Sequence, residues 1–241
     1  MKVRLFLLAT LSAIALASCN KDPEQIPQEI CFSVLGDSYS AMEGYVDPED
    51  NDCWGNYPVI GVTDPTQMWW YQVAEGTGWI MDKNNSFSGS LVCNMDVEHY
   101  YGAHSFIRRM DDLGTPDVIF VFGATNDVFN KVPLGECIYS DWTDEQLCTF
   151  RPGLAYLYDN LGKLYPQAKL FFLVDLDLCS GGVAVEIRDE FIDAIHEVSD
   201  HYHVKCIDLE KIHKKRWHPD PYGQKQIAKQ VIKAVKPSVN A

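Results

Sequence analysis

Short apolar runs alternate with helical patterns along most of the chain, and this alternation constrains the fold more than any other feature. Apolar runs of strand length lie at residues 32–35, 117–122, 168–174 and 204–207, and a further short strand is expected at 79–85. Helical patterns lie at residues 66–75, 102–113, 152–164, 185–199 and 222–235. Strands that alternate with helices form parallel sheets with crossover helices. The 241 residues therefore predict a single α/β domain with a parallel sheet of about five strands.

The first of these runs ends abruptly at Gly36-Asp37-Ser38, and the residues that follow can open a helix. Such a turn places the Ser38 hydroxyl at the C-terminal end of a strand, beside a helix N-terminus. Open α/β sheets carry their chemistry at that edge, where backbone N–H groups and the helix dipole can stabilise an oxyanion. Serine is also a favoured N-cap, so on its own the motif favours a cap over a nucleophile.

Three further polar positions are expected at the same sheet edge. Gly89 and Asn126 lie in turns that follow strand-length runs, and His218 lies on the loop after the last run. Ser38 can attack an acyl carbon if His218 accepts its proton. The N–H groups of Ser38 and Gly89, with the side-chain amide of Asn126, can bind the oxyanion that forms. Together the four residues predict a serine-hydrolase site.

In this order, Ser38, Gly89, Asn126 and His218 resemble the four sequence blocks of the SGNH or GDSL serine hydrolases, and the resemblance spans residues 32 to about 235. It implies a three-layer α/β/α sandwich with a flavodoxin-like sheet, which is the SGNH hydrolase fold. It also implies an esterase or lipase-like activity that needs no metal and no cofactor. The Asn-Ser-Phe-Ser-Gly-Ser segment at residues 85–90 looks similar to exported enzymes of Bacteroidetes, many of them lipoproteins.

Two positions depart from the family pattern. The last block usually has an Asp three residues before the His, and Lys215 stands there instead. A lysine cannot accept a hydrogen bond from the imidazole, so either a backbone carbonyl orients His218 in a Ser–His dyad or another acid, such as Asp220, serves. The third block usually has Gly where this chain has Ala124, a minor change unless φ must be positive.

The first 30 residues read as an export signal and a tether. A basic start precedes an apolar run at residues 5–17 that is too short to span a membrane. The run ends in Leu-Ala-Ser-Cys, which resembles a lipobox with Cys19 as the lipidated residue. We therefore expect a signal peptide at residues 1–18, a tether at 19–30 and the hydrolase domain at 31–241. The protein would be an exported lipoprotein, periplasmic or at the cell surface, that contacts membrane only through its lipid.

Net charge and cysteine content indicate which binding partners, disulfides and metal sites to expect. The net charge of −14 argues against nucleic-acid binding, which relies on Lys and Arg meeting phosphates. If Cys19 is lipidated, seven of the eight cysteines remain, so at least one thiol has no partner within the chain. Cys137 and Cys148 flank a polar segment and are the pair expected to form a disulfide. The cysteine and histidine spacing gives little support to a zinc site.

The expected function is hydrolysis of carboxylic esters by Ser38 and His218, with short acyl or acetyl esters, some on glycans, as substrates. The alternative is an SGNH-fold lipoprotein that has lost catalysis and binds a glycan. Its binding surface would use exposed aromatic rings, for which the candidates are Trp54, Tyr57, Trp69 and Trp70.

Overall fold

The structure is a computed structural model that describes residues 29–46, 51, 53, 59–95, 100–178 and 182–239. The predicted signal peptide, Cys19 and most of the tether lie outside the described residues, and so do Trp54 and Tyr57. The domain predicted to begin at residue 31 has its first strand there.

Five parallel strands form the central sheet, as the sequence predicts. They are β1 (Cys31–Gly36), β2 (Ile80–Ser86), β3 (Val118–Phe122), β4 (Lys169–Asp175) and β5 (Lys205–Leu209). Their order across the sheet is β2-β1-β3-β4-β5, which is the flavodoxin-like order. The order reverses between β1 and β3, so the crevice at their carboxyl ends is the position where such sheets bind ligands.

Helices cover both faces of the sheet and complete three layers. They are α1 (Trp69–Thr77), α2 (Tyr100–Ala103), α3 (Phe106–Arg109), α4 (Thr125–Phe129), α5 (Phe150–Leu164), α6 (Val185–Tyr202) and α7 (Pro221–Val239). Because side chains alternate along a strand, β3 sends Ile119 and Val121 to the core under α5 and α6. It sends Phe120 and Phe122 to the opposite core, under α1 and α7. The α/β/α sandwich is thus confirmed.

One predicted helix, residues 102–113, is divided into two short helices in the structure. Ser105 separates α2 from α3, and its hydroxyl donates to Asn94 Oδ1 at 2.6 Å. The Phe106 N–H donates to Leu91 O at 2.9 Å instead of to a helical carbonyl. These contacts with residues 91–94 break the helical hydrogen-bond ladder. The segment therefore packs as a bent connection rather than as a three-turn helix.

A small antiparallel hairpin precedes α7, and the sequence gives no sign of it. Its strands are β6 (Lys214–Lys215) and β7 (His218–Pro219), with Lys215 opposite His218. The two residues between them, Arg216 and Trp217, have φ of 45° and 71°. Two consecutive positive φ values are the mark of a type I′ hairpin turn, which usually carries Asn or Gly.

The disulfide expected between Cys137 and Cys148 is not present, because both are free thiols. The Cys148 thiol contacts main-chain oxygens, those of Asp144 at 3.3 Å and Asn94 at 3.5 Å, while Cys137 faces Glu197. In the described part of the chain, no helix is long and apolar enough to cross a membrane.

Candidate active site

Ser38 and His218 meet at the carboxyl edge of the sheet. His218 Nε2 lies 3.0 Å from Ser38 Oγ, although the two residues are 180 positions apart in the chain. The strand β1 ends at Gly36, where a Cβ would lie 2.6 Å from Ser86 Oγ, so a larger residue would displace that side chain. The next N–H, that of Asp37, donates to Phe122 O at 3.2 Å and fixes the turn that carries Ser38.

Asp37, between the glycine and the serine, is a buried carboxylate that braces the turn. Its Oδ1 accepts the Tyr39 N–H at 2.9 Å, and its main-chain oxygen accepts the N–H groups of Ser40 and Ala41 at 3.1 Å. Burial raises the pKa of Asp37 to about 7, although the Tyr39 N–H and the Arg109 guanidinium act in the opposite direction. Asp37 therefore supports Ser38 from below and does not contact His218.

His218 begins β7 immediately after the two-residue turn of the hairpin. Its Nδ1 lies 3.3 Å from the main-chain oxygen of Arg216, so the neutral imidazole can carry its proton on Nδ1 and leave Nε2 to accept one. Burial lowers the pKa of His218; the Arg216 carbonyl raises it, and the nearby Lys214 cation lowers it further. A histidine with a lowered pKa is neutral near pH 7, as a general base requires.

Neither Lys215 nor Asp220 is hydrogen-bonded to His218. Lys215 Nζ lies 3.6 Å from Asp220 Oδ2, and Asp220 Oδ1 lies 3.0 Å from His213 Nδ1 and accepts the Gly223 N–H at 3.0 Å. Burial raises the pKa of Asp220, but the Gly223 N–H, His213 and Lys215 together outweigh it and hold the pKa below its ordinary value. Of the two options that the sequence leaves open, the geometry matches the backbone carbonyl.

The three predicted oxyanion donors line one cavity of about 270 Å³ together with His218. Among the described residues, the N–H groups of Ser38 and Gly89 have no hydrogen-bond acceptor. Gly89 has φ of 78°, a value that its lack of a Cβ permits. Asn126 Nδ2 donates to Ser90 O at 3.1 Å and makes a long contact of 3.4 Å with Asp37 Oδ2. The second N–H of the Asn126 amide is therefore weakly bound.

Ala124, where the family pattern has glycine, adopts φ of 76° and is fully buried. On sequence alone, alanine at this position is interpreted as a minor change unless φ is positive. Because φ is positive, that interpretation is wrong. A non-glycine residue in the left-handed region is uncommon. The N-terminus of α4, which carries Asn126, therefore begins from a strained residue.

A cavity of about 130 Å³ opens beside the Ser38 and His218 side chains. Phe129 and Trp217 line it; each residue is 54% exposed, and their ring centroids lie 6.0 Å apart. Of the aromatic rings that the sequence offered for binding, Trp54 and Tyr57 lie outside the described residues, and the other two lie away from this cavity. Trp69 and Trp70 are buried in the core under α1, where their indole N–H groups donate to Ser40, because a large ring with one donor can be buried once that donor is satisfied.

Arg109 is a site residue that sequence reasoning missed. Its guanidinium is buried and donates from Nη2 to Gly36 O and Ser90 Oγ, both at 3.1 Å, and from Nη1 to Asn85 Oδ1 at 2.9 Å. It thus joins the end of β1 to the turn that carries Gly89. Burial lowers the pKa of Arg109 to about 9, so the group is charged at neutral pH. The sequence marks only a basic pair, Arg108 and Arg109, with no sign of which one is buried.

Comparisons with known proteins agree with this geometry. The family model for GDSL-like lipase/acylhydrolase matches residues 30–235. A crystal structure from Bacteroides ovatus, described as a GDSL-like lipase, has 38% identity and a TM-score of 0.77 over 87% of this chain and 99% of that chain. Another from Bacteroides uniformis, described likewise, has 36% identity and a TM-score of 0.77 over 87% and 96%.

More distant matches are similar in fold alone. A family two carbohydrate esterase from Clostridium thermocellum, in complex with cellohexaose, has 16% identity and a TM-score of 0.61 over 88% of this chain and 65% of that chain. No curated protein matches this chain.

Proposed function

We propose a substrate and a mechanism from the premise that this chain belongs to the GDSL-like lipase/acylhydrolase family and is a carboxylic ester hydrolase. The substrates are short acyl esters, above all acetyl esters on glycans. The observation that carries the proposal is the 3.0 Å contact between His218 Nε2 and Ser38 Oγ beside a small cavity.

In the first half-reaction, Ser38 Oγ attacks the ester carbonyl carbon while His218 Nε2 accepts the hydroxyl proton. The negative oxygen of the intermediate is bound by the N–H groups of Ser38 and Gly89 and by the Asn126 amide, whose long contact with Asp37 is exchanged for the substrate oxygen. His218 then gives its proton to the leaving alcohol, and the C–O bond breaks. An acyl ester of Ser38 remains.

In the second half-reaction, a water molecule gives a proton to His218 and attacks the acyl carbon. The intermediate uses the same three donors, and the carboxylic acid leaves as Ser38 regains its proton from His218. Throughout, the Arg216 carbonyl, 3.3 Å from Nδ1, takes the orienting part that an aspartate has in a triad. Ser38 and His218 therefore act as a dyad.

The cavity beside Ser38 supports a short acyl group. Ser38 lines this cavity of about 130 Å³ and the adjoining one of about 270 Å³, and each is below the 300–1,000 Å³ that is typical of sites for drug-sized ligands. The exposed rings of Phe129 and Trp217 offer flat apolar faces to the alcohol side of the ester. The carbohydrate esterase among the structural matches supports a glycan as that alcohol by analogy of fold.

Turnover tests the proposal directly. The purified domain is assayed on ethyl acetate, longer ethyl esters and an acetylated xylo-oligosaccharide. We expect acetate release that falls about 10³-fold or more in Ser38→Ala. The exposed Ser140→Ala serves as the matched control and keeps full activity. Equal turnover by Ser38→Ala would contradict the assignment of the nucleophile.

The rival function is capture of a glycan without catalysis. The burial of Trp69 and Trp70 removes two of its four candidate rings. A serine-directed fluorophosphonate separates the two, since the reagent needs an activated hydroxyl. We expect one adduct by intact mass on the wild type and none on Ser38→Ala. Tight binding of acetylated glycan with no label and no turnover would favour the rival.

For location, we propose that the protein is an exported lipoprotein attached through Cys19. The support is the lipobox-like sequence before Cys19 and the polar segment that follows it. In a bacterial host, the wild type should label with a fatty-acid probe and fractionate with membranes. Cys19→Ala should lose the label. An unlabelled, soluble wild type would contradict the lipid anchor.

A further inference from the structure

We propose that Tyr39 is a positioning residue: its hydroxyl fixes the turn that presents the Arg216 carbonyl to His218. The inference rests on the proposed function, because it concerns the same dyad. In this proposal Tyr39, the residue after Ser38, holds His218 at the correct position relative to Ser38.

The contacts of the Tyr39 side chain reach the hairpin from the opposite side of the site. Tyr39 Oη donates to Trp217 O at 2.6 Å, and its ring packs edge-on against the His218 ring with centroids 5.6 Å apart. The side chain is only 2% exposed. Tyr39 therefore follows Ser38 in the chain, contacts His218 through its ring and holds the turn before His218 through its hydroxyl.

The turn needs such an anchor because its sequence does not favour its shape. Arg216 and Trp217 both have positive φ, which disfavours residues with a Cβ. Strained conformations persist where surrounding contacts over-determine them. The hydrogen bond from Tyr39 holds the Trp217 carbonyl, and the adjacent carbonyl of Arg216 then faces His218 Nδ1 at 3.3 Å.

Tyr39 itself is rigidly held. Its N–H donates to Asp37 Oδ1 at 2.9 Å, and its carbonyl accepts Gln224 Nε2 at 3.1 Å. Its ring packs edge-on against Phe122 at 5.6 Å, and Lys214 Nζ lies 5.7 Å from the ring centroid. The Tyr39 hydroxyl therefore has a fixed position relative to Ser38. Its hydrogen bond to Trp217 O fixes the position of the hairpin in the same way.

Tyr39 also lines the cavity of about 130 Å³, but Tyr39→Phe keeps the ring there and removes only the hydroxyl that donates to Trp217 O, so the change should act by loosening the hairpin. Water would then reach His218 more often, and the burial that lowers its pKa would weaken. Burial is the largest influence on that pKa, so its loss should outweigh a weaker contact with the Arg216 carbonyl, which raises the pKa. The pKa of His218 should therefore rise in Tyr39→Phe. Because the base must be neutral, the acid limb of the kcat profile should move to higher pH, while KM changes little.

The experiment compares Tyr39→Phe with Tyr202→Phe, a control in which a tyrosine hydroxyl bonded to a main-chain oxygen, that of Tyr139, is removed away from the site. We expect kcat to fall about 5- to 10-fold in Tyr39→Phe, the effect of one hydrogen bond. In Tyr202→Phe, kcat and the pH profile should not change. An unchanged kcat and pH profile in Tyr39→Phe would overturn the inference.

A double-mutant cycle identifies the turn as the element through which Tyr39 acts. Asparagine tolerates positive φ, so Arg216→Asn favours the same turn from within and keeps the main-chain carbonyl. In the Arg216→Asn background, removing the Tyr39 hydroxyl should cost about twofold or less. A cost equal to that in the wild-type background would show that the hydroxyl does not act through the turn.

A titration of His218 by NMR, assigned with His218→Gln, separates this inference from the proposed function because it needs no turnover. The pKa of His218 should be higher in Tyr39→Phe than in the wild type. If no ester is hydrolysed but the pKa moves, the proposed function fails and the positioning stands. If esters are hydrolysed but neither pKa nor kcat moves, the positioning fails alone.

Discussion

Lys215 Nζ lies 3.6 Å from Asp220 Oδ2 and makes no hydrogen bond with the imidazole of His218. The lysine thus occupies the family's aspartate position in sequence without taking its place beside His218. Asp220 in turn caps the first turn of α7 through the Gly223 N–H. The main-chain carbonyl of Arg216 therefore lies beside His218 Nδ1, where the family's aspartate would be expected, and the Lys215 side chain is exposed at the surface.

Lys215→Ala should leave kcat/KM within about twofold of the wild type. The side chain is 51% exposed, and exposed ion pairs contribute little to stability. Steady-state kinetics on one ester checks this, with circular dichroism to verify the fold. A collapse of activity in a folded Lys215→Ala protein would show that the lysine has a catalytic part and would contradict the dyad.

The acid limb of the pH profile should lie below the ordinary histidine pKa of about 6.5. His218 must be neutral to accept the Ser38 proton, and burial lowers its pKa. Activity should therefore rise with pH, with its half-maximal value below 6.5, and level off above that. The measurement is kcat/KM on a neutral ester from pH 4.5 to 8. A midpoint above 6.5 would mean that the imidazole is stabilised in its charged form.

The sheet and the pairing of Ser38 with His218 could be predicted, and the reason is geometric. Buried strands such as β3 (Val118–Phe122) are continuous apolar runs, and the carboxyl ends of parallel strands share one edge. Polar turns that follow those runs must therefore meet there. Ser38 alone gives no sign of a functional site, but the convergence of Gly89, Asn126 and His218 on that edge makes the four residues a candidate active site.

The hairpin, the buried arginine and the tryptophans could not be predicted, and each has its own reason. Two-residue strands leave no periodic pattern, and the turn at Arg216 and Trp217 lacks the Asn or Gly that would mark it. Arg109 is buried because main-chain oxygens of separate segments surround it, which no local pattern records. The indole N–H groups of Trp69 and Trp70 donate to Ser40 in the core, and this contact, which allows both rings to be buried, leaves no local sequence pattern.

Phe129→Ala should weaken the use of glycan esters and spare small ones. Its exposed ring lines the cavity with Trp217 and can stack on a sugar face. Loss of an aromatic contact of about 1 kcal/mol predicts a KM roughly fivefold higher for acetylated xylo-oligosaccharide. KM for ethyl acetate should not change. Tyr222→Ala, which removes another exposed ring outside this cavity, is the control, and equal effects of the two would contradict a specific role.

Stability should fall as the pH rises from about 4 to about 7. Burial raises the pKa of Asp127 to about 7, as it does for Asp37, so in this window the native state holds protons that the unfolded state has released. A change of 1 kcal/mol moves Tm by roughly 2–4 °C at this size. Asp127→Asn should flatten the dependence of Tm on pH, and the exposed Asp111→Asn should not. A wild-type Tm that rises over this window would contradict the raised pKa values.

Arg109→Lys should lower both stability and kcat, whereas the adjacent Arg108→Lys should change neither. Arg108 is exposed, while Arg109 spans Gly36 O, Ser90 Oγ and Asn85 with a planar fork that lysine cannot reproduce. Leaving buried acceptors without donors costs about 1–3 kcal/mol, or roughly 2–12 °C in Tm. Because Gly36 leads to Ser38 and Ser90 follows Gly89, a shift of either displaces the nucleophile or an oxyanion donor, so kcat should fall about tenfold or more.

Differential scanning calorimetry and steady-state kinetics on the two variants provide the comparison. A stable and fully active Arg109→Lys protein would show that the guanidinium fills space between these turns without aligning them.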